Sequence, residues 1–155
     1  MLGHRRGGVR EIQWAERYRT GIPFVDAQHQ ELFRVVARLQ ESLARNLGDP
    51  VLRSQLDELL SLLKTHFRDE EEFLRRYGYP DFLEHMAEHT SLLGELEQIR
   101  VRYEQSAAPL ASMIGTFLGG WLRHHISEGD FNYAKFLRER GLNIEEVAAP
   151  RAGAD

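Results

Sequence analysis

The stretch "HFRDEEEFLRRYGYPDFLEHMAEH" runs from His66 to His89. It holds the end of one helical pattern, a breaker and the start of another. His66, Glu70, Phe73 and Tyr77 recur at steps of four and three, so they share one helix face. "YGYPD" closes that helix and opens the next, with Asp81 as the capping residue and Glu84 three positions on. His85 and His89 then lie four apart, again on one face. An antiparallel helix pair joined by this turn brings the three histidines and Glu70 to a similar level.

Both stripes continue as apolar residues. Leu52, Leu56, Leu59 and Leu63 precede His66, and Leu92, Leu96, Ile99 and Tyr103 follow His89. Two more stripes have the same form: His29, Leu32, Val36, Leu39, Leu43, and Leu110, Ile114, Phe117, Trp121, His125. Asp49-Pro50 reads as N-cap and first helical residue, and Pro109 as another start. The spacing predicts helices over 26–46, 51–77, 81–103 and 109–140, after an extended segment at "TGIPFVD". The fold class is therefore all-α, an antiparallel up-down four-helix bundle with an extended N-terminal segment. One domain is expected over 12–148, with flexible tails at 1–11 and 149–155. Leu142 to Val147 is expected to form a terminal helical turn packed on the bundle.

Composition narrows the function classes. The chain has 155 residues, 42% of them hydrophobic and 28% charged, which suits one domain with a sizeable core. A net charge of −4 gives no basic footprint for nucleic acid. The absence of cysteine excludes a disulfide scaffold, thiolate metal sites and a cysteine nucleophile. No apolar run approaches a membrane span, and the basic start "MLGHRRGGVR" lacks the apolar core of a signal peptide. We expect a cytoplasmic monomer with no membrane partner.

The polar members of the stripes carry the chemistry. A lone histidine on an apolar face is ordinarily a hydrogen-bonded core residue. Here His29, His66, His85, His89, His125 and Glu70 occupy core positions on four converging faces. Burying them unpaired is costly, so a shared metal ion is expected. In "WLRHHISEGD" regular helix geometry would add Glu128, three residues after His125. Asp130 would need a π-type bulge to reach the same centre, which Gly129 would ease. Spacing alone leaves the two open.

The ordered set Trp14, "GIPFVDAQHQEL" from Gly21, "HFRDEE" from His66, "YP" at 79–80, "HMAEH" from His85 and "WLRHHISEGD" from Trp121 resembles the hemerythrin family, specifically its single-domain bacterial members. The resemblance implies two iron ions per chain in a non-haem, oxo- or hydroxo-bridged di-iron centre. His85, His89 and His125 would bind one iron, and His29 and His66 the other. Glu70 and Asp130 would bridge them, which selects Asp130 over Glu128. Glu128 is left as a surface partner of His124. Glu71 and Glu72 read as a solvated acidic run, and His4 as part of a loose tail. With six ligands per iron, this set leaves one open position, on the iron with two histidines. The implied partner is dioxygen, bound reversibly there for storage, delivery or scavenging. A di-iron peroxidase or nitric oxide reductase, or an oxygen or redox sensor, would use the same site. Leu32, Phe67, Trp121 and Leu122, adjacent to ligands on their helices, are the expected walls of a dry oxygen pocket, with Ile126 a further candidate.

Overall fold

Pro23 opens the first helix, because its missing N–H would have no helical acceptor and its fixed φ suits the first turn. Helix α1 covers Pro23–Ala44, α2 Asp49–Arg76 and α3 Phe82–Gln105. A fourth helix, α4, is helical over 118–124, passes through a π-helix at His125–Asp130 and continues over Phe131–Glu139. The computed structural model describes residues 12–105, 118–147 and 150. The expected helix start at Pro109, the stripe positions Leu110, Ile114 and Phe117, the tail 1–11 with His4, and most of 149–155 lie outside the described residues.

The architecture is the expected all-α four-helix bundle, with several ends displaced. Helix α1 begins three residues before Asp26, and the Asp26 carboxylate folds back over the preceding turn. It accepts from the backbone N–H of Thr20 (2.7 Å) and Gly21 (3.0 Å) and from the Thr20 hydroxyl (2.8 Å). The segment 20–26 is thus half helix, with the extended chain confined to residues before Pro23. A single 3-10 turn, Glu16–Tyr18, interrupts that extended chain. Asn46 ends α1 in the left-handed conformation at φ 52°, a position Asn tolerates. The N-cap of α2 is Gly48 and not Asp49, one residue earlier than the Asp-Pro pair suggests. Gly78, at φ 68°, closes α2, and the Tyr79 N–H reaches back to the Leu74 carbonyl at 3.0 Å. Asp81 immediately precedes α3, and its carbonyl accepts from the His85 N–H.

Two apolar clusters fill the bundle. The larger includes Leu32, Val36 and Leu39 of α1, Leu56, Leu59 and Leu63 of α2, Leu92 and Leu96 of α3, and Leu118 and Leu122 of α4. The smaller gathers Phe24 and Val25, Phe73 and Leu74, Tyr79, Tyr133 and Leu137. Along α1 and α3 the two clusters appear in opposite order from α2 and α4, as alternating helix directions require. Ile144, in a terminal 3-10 turn at Ile144–Glu146, is buried in the smaller cluster, so the segment after α4 packs on the bundle as expected.

Candidate metal centre

Between the two clusters lies a polar layer, one turn deep. His29 comes from α1, His66 and Glu70 from α2, His85 and His89 from α3, and His125 and Asp130 from α4. None is more than 5% exposed. Two four-residue groups share Glu70, each with ligand atoms within 4.8 Å of one another: Glu70, His85, His89, His125, and His29, His66, Glu70, Asp130.

The two carboxylates lie between the groups. Glu70 Oε1 touches His85 Nε2 and lies 3.2 Å from His89 Nε2 and 3.7 Å from His125 Nε2. Its Oε2 lies 3.2 Å from His66 Nε2. Asp130 repeats the pattern. Its Oδ1 is 3.1 Å from His125 Nε2 and 3.3 Å from His85 Nε2, and its Oδ2 is 2.8 Å from His29 Nε2. Each carboxylate thus turns one oxygen toward the set His85, His89 and His125, all three for Glu70 and two for Asp130, and the other toward one member of the pair His29 and His66.

Asp130 reaches this position through the π-helix, whose wider turn carries it back to the face of His125. Gly129 serves by close approach, since a Cβ there would sit 3.2 Å from His85 Cε1 and 3.4 Å from His125 Nδ1. Glu128 points outward and lies 3.5 Å from His124 Nε2, with both side chains exposed.

The layer is poorly satisfied by the protein alone. Both ring nitrogens of His29, Nε2 of His66 and both oxygens of Asp130 are buried without a hydrogen-bond partner. Several lie close to an opposite charge, yet the angles are wrong for hydrogen bonds. Each orphaned group costs on the order of 1–3 kcal/mol. Atoms that approach closely without pointing at each other have the geometry of ligands aimed at common centres. Imidazole nitrogens and carboxylate oxygens suit iron among the first-row metals, so the residues present fit the implied group.

Burial and charge set the protonation of the metal-free layer. Burial opposes ionisation of Glu70, but His66, His125 and His85 outweigh it and hold the carboxyl well below its ordinary range. Asp130 is also held low: burial and the Glu70 charge oppose its ionisation, and His125 and His29 overcome them. Burial pushes His66 down. His85 is raised to about 9, because contact with Asp130 and Glu70 exceeds the burial penalty. His125 rises well above its ordinary value on the same balance.

Outer contacts orient the rings. His66 Nδ1 lies 2.7 Å from Gln28 Oε1, His89 Nδ1 2.9 Å from Glu71 Oε1, and His125 Nδ1 3.4 Å from Glu88 Oε2. Each contact leaves Nε2 facing the layer. Phe67 stacks on His89 (3.8 Å, 7°) and Trp121 on His125 (4.6 Å, 10°). The buried Tyr133 hydroxyl donates to Glu70 Oε2 at 3.0 Å. Glu71 is therefore half-buried and paired, not simply solvated as its acidic run suggested. Gln28, Glu88 and Tyr133 were not singled out by sequence. Tyr133, three residues after Asp130, carried a signal in its spacing.

One turn from the histidines, a small apolar cavity of about 10 Å³ lies on the bundle axis. Leu32, Leu63, Leu92, Trp121 and Leu122 line the end nearest the polar layer, and Val36, Leu59 and Leu118 lie farther along. Three of the four expected wall residues meet here. Phe67 is not among the lining side chains and lies against His89 instead. Ile126 is fully buried in the larger cluster and is also absent from this lining.

Residues 20–137 match the family model described as the hemerythrin HHE cation binding domain. The chain belongs to the hemerythrin family. It is 30% identical over 123 residues to a bacteriohemerythrin of Methylococcus capsulatus, covering 79% of this chain and 93% of that one. A myohemerythrin of Theromyzon tessulatum is 26% identical, covering 78% and 89%. A crystal structure of wild-type hemerythrin superposes with a TM-score of 0.74 at 30% identity, over 79% of this chain and 95% of that chain. No described helix is long and apolar enough to cross a membrane.

Proposed function

We propose that this hemerythrin-family chain binds dioxygen reversibly at a non-haem di-iron centre, for storage, delivery or scavenging. The observation that carries the reading is the split of both carboxylates between a three-histidine and a two-histidine group. His85, His89 and His125 would hold one iron, His29 and His66 the other, and Glu70 and Asp130 would bridge. When bound, the iron pair supplies the two electrons that dioxygen takes up and returns.

The protein's own part is to orient ligands and exclude water. Phe67 and Trp121 clamp the His89 and His125 rings by stacking. Tyr133 holds Glu70 Oε2 by a hydrogen bond and keeps its proton, since burial and the neighbouring Asp130 and Glu70 charges push the phenol well above its ordinary range. Leu32, Leu63, Leu92 and Leu122 offer water no hydrogen-bond partner. A carrier reading is favoured over a peroxidase because only the Trp121 indole among the cavity's lining side chains offers a proton. We further propose that the chain works as a cytoplasmic monomer. Its large exposed apolar side chains, Leu47, Val51, Leu83 and Val101, are few among the described residues.

The test is an anaerobic spectrum of reduced protein before and after air, with metal analysis. Two irons per chain and a colour change reversed by argon flushing are expected. Zinc in place of iron in the native protein overturns the proposal, as does steady turnover of peroxide or nitric oxide with no reversible spectrum.

A further inference from the structure

Gln28 and Asp69 each stand one residue from a proposed ligand, His29 and Glu70, and they meet across the α1–α2 contact. Gln28 Nε2 donates to Asp69 Oδ2 at 2.8 Å, while Gln28 Oε1 lies 2.7 Å from His66 Nδ1. Asp69 is a buried residue, 8% exposed, and its other oxygen faces Arg68 at 3.3 Å. The result is a continuous line from an exposed arginine to a fully enclosed imidazole.

The chemistry of the line has one direction. An ionised carboxylate only accepts hydrogen bonds, so Asp69 requires the amide nitrogen of Gln28 to face it. The amide oxygen must then face His66, and an oxygen there accepts only from an N–H at Nδ1. That leaves Nε2 with its lone pair toward the polar layer. His66 Nε2 has no hydrogen-bond partner in the protein, although Glu70 Oε2 is 3.2 Å away. This is the arrangement expected if Nε2 carries no proton.

We propose that Asp69 is a positioning residue that fixes the tautomer of His66 through Gln28, so that Nε2 is always ready to take a metal ion. The proposal rests on the di-iron reading for its purpose but not for its geometry. It gives a role to a residue that touches neither iron position. It also separates the two halves of the layer: His89 and His125 have a carboxylate at their outer nitrogen, whereas His66 has a neutral amide whose sense is set one step farther out.

The test uses the full-length chain, first metal-free and labelled at histidine nitrogen. In the parent, His66 should be a single Nδ1–H tautomer by nitrogen–proton correlation NMR. In Asp69→Asn the amide of Gln28 is free to turn over, and His66 should become a mixture. Anaerobic titration with ferrous iron should then show one of the two irons bound roughly 10–100-fold more weakly. Gln28→Leu, which cannot accept from His66, should show the same release, and decides the matter if Asp69→Asn fails to fold. The double variant Gln28→Glu, Asp69→Asn reverses the polarity of the pair and should restore both tautomer and affinity. Asp69→Asn or Gln28→Leu with the parent tautomer overturns the proposal. So does a loss of affinity that the double variant leaves unrepaired, which would mark Asp69 as merely structural. If the parent takes up no iron pair, the di-iron reading fails, and the metal-free spectra still decide the role of Asp69.

Discussion

Asp130 and Glu128 are two residues apart and have opposite surroundings. Asp130 is fully buried with both oxygens near histidines, and Glu128 is a solvated partner of His124. Asp130→Ala should therefore lose the iron pair, and Glu128→Ala should keep both irons by metal analysis. Equal loss in the two variants would sink the bridge assignment. Protonation at single residues gives a second expectation. In the metal-free chain His85 is raised to about 9, against about 6.5 when unfolded. Its stabilising contribution is complete below pH 6.5 and is lost as pH rises through 9. The thermal midpoint of metal-free protein should fall across that window, while the iron-loaded protein, with that nitrogen engaged, should not follow it. A flat profile for metal-free protein would count against charged His85. The histidines and Glu70 of the buried layer were legible in the spacing and Asp130 only through the family resemblance, whereas the outer partners were not legible at all. Gln28, Glu71 and Glu88 are each adjacent in sequence to a proposed ligand, off the apolar stripe, and each contacts a histidine of a neighbouring helix. Their pairing depends on interhelix distances that no single helix pattern contains.

At the level of elements, the stripes pointed to four helices, because among the described residues each buries a contiguous face at the α-helical period. The ends were read less well, and for local reasons. Pro23 starts α1 early and leaves Asp26 to cap the turn from inside, while Gly48 takes the capping place expected of Asp49. The π-helix was foreseen only as a condition for Asp130 to take part. Its Gly129 yields an expectation opposite to ordinary helix propensity. Gly94, exposed within α3, has nothing within 4 Å of a built Cβ. Gly94→Ala should stabilise the protein by about 0.5–1 kcal/mol through reduced chain entropy. Gly129→Ala should instead push His85 and His125 apart, lowering iron retention and giving no gain in the thermal midpoint. Calorimetry and metal analysis on the two variants would decide, and a stabilised, fully loaded Gly129→Ala would refute the close-approach argument.

Across the whole molecule, two apolar clusters hold a charged layer that neither could stabilise alone. The larger cluster also borders that layer through the apolar cavity. Leu32 lies three residues after His29 and lines the cavity at the end near the histidines, whereas Leu56 packs in the same cluster toward the start of α2 and does not line it. Truncating either buried leucine should cost about 2–5 kcal/mol of stability. Only one should change the chemistry. The cavity, at about 10 Å³, is at the lower limit for a single water, and its leucine and valine lining offers such a water no hydrogen-bond partner. Leu32→Ala enlarges it beside the polar layer, and water admitted there can bring protons to the centre. We therefore expect Leu32→Ala to retain its iron but to lose its oxygen-dependent spectrum faster than the parent, irreversibly on argon flushing. Leu56→Ala should unfold at lower temperature while its spectrum decays at the parent rate. Stopped-flow decay measured well below both unfolding midpoints separates the two effects. If Leu32→Ala decays no faster than the parent, or Leu56→Ala decays faster still, the cavity is ordinary bundle packing and does not protect the site.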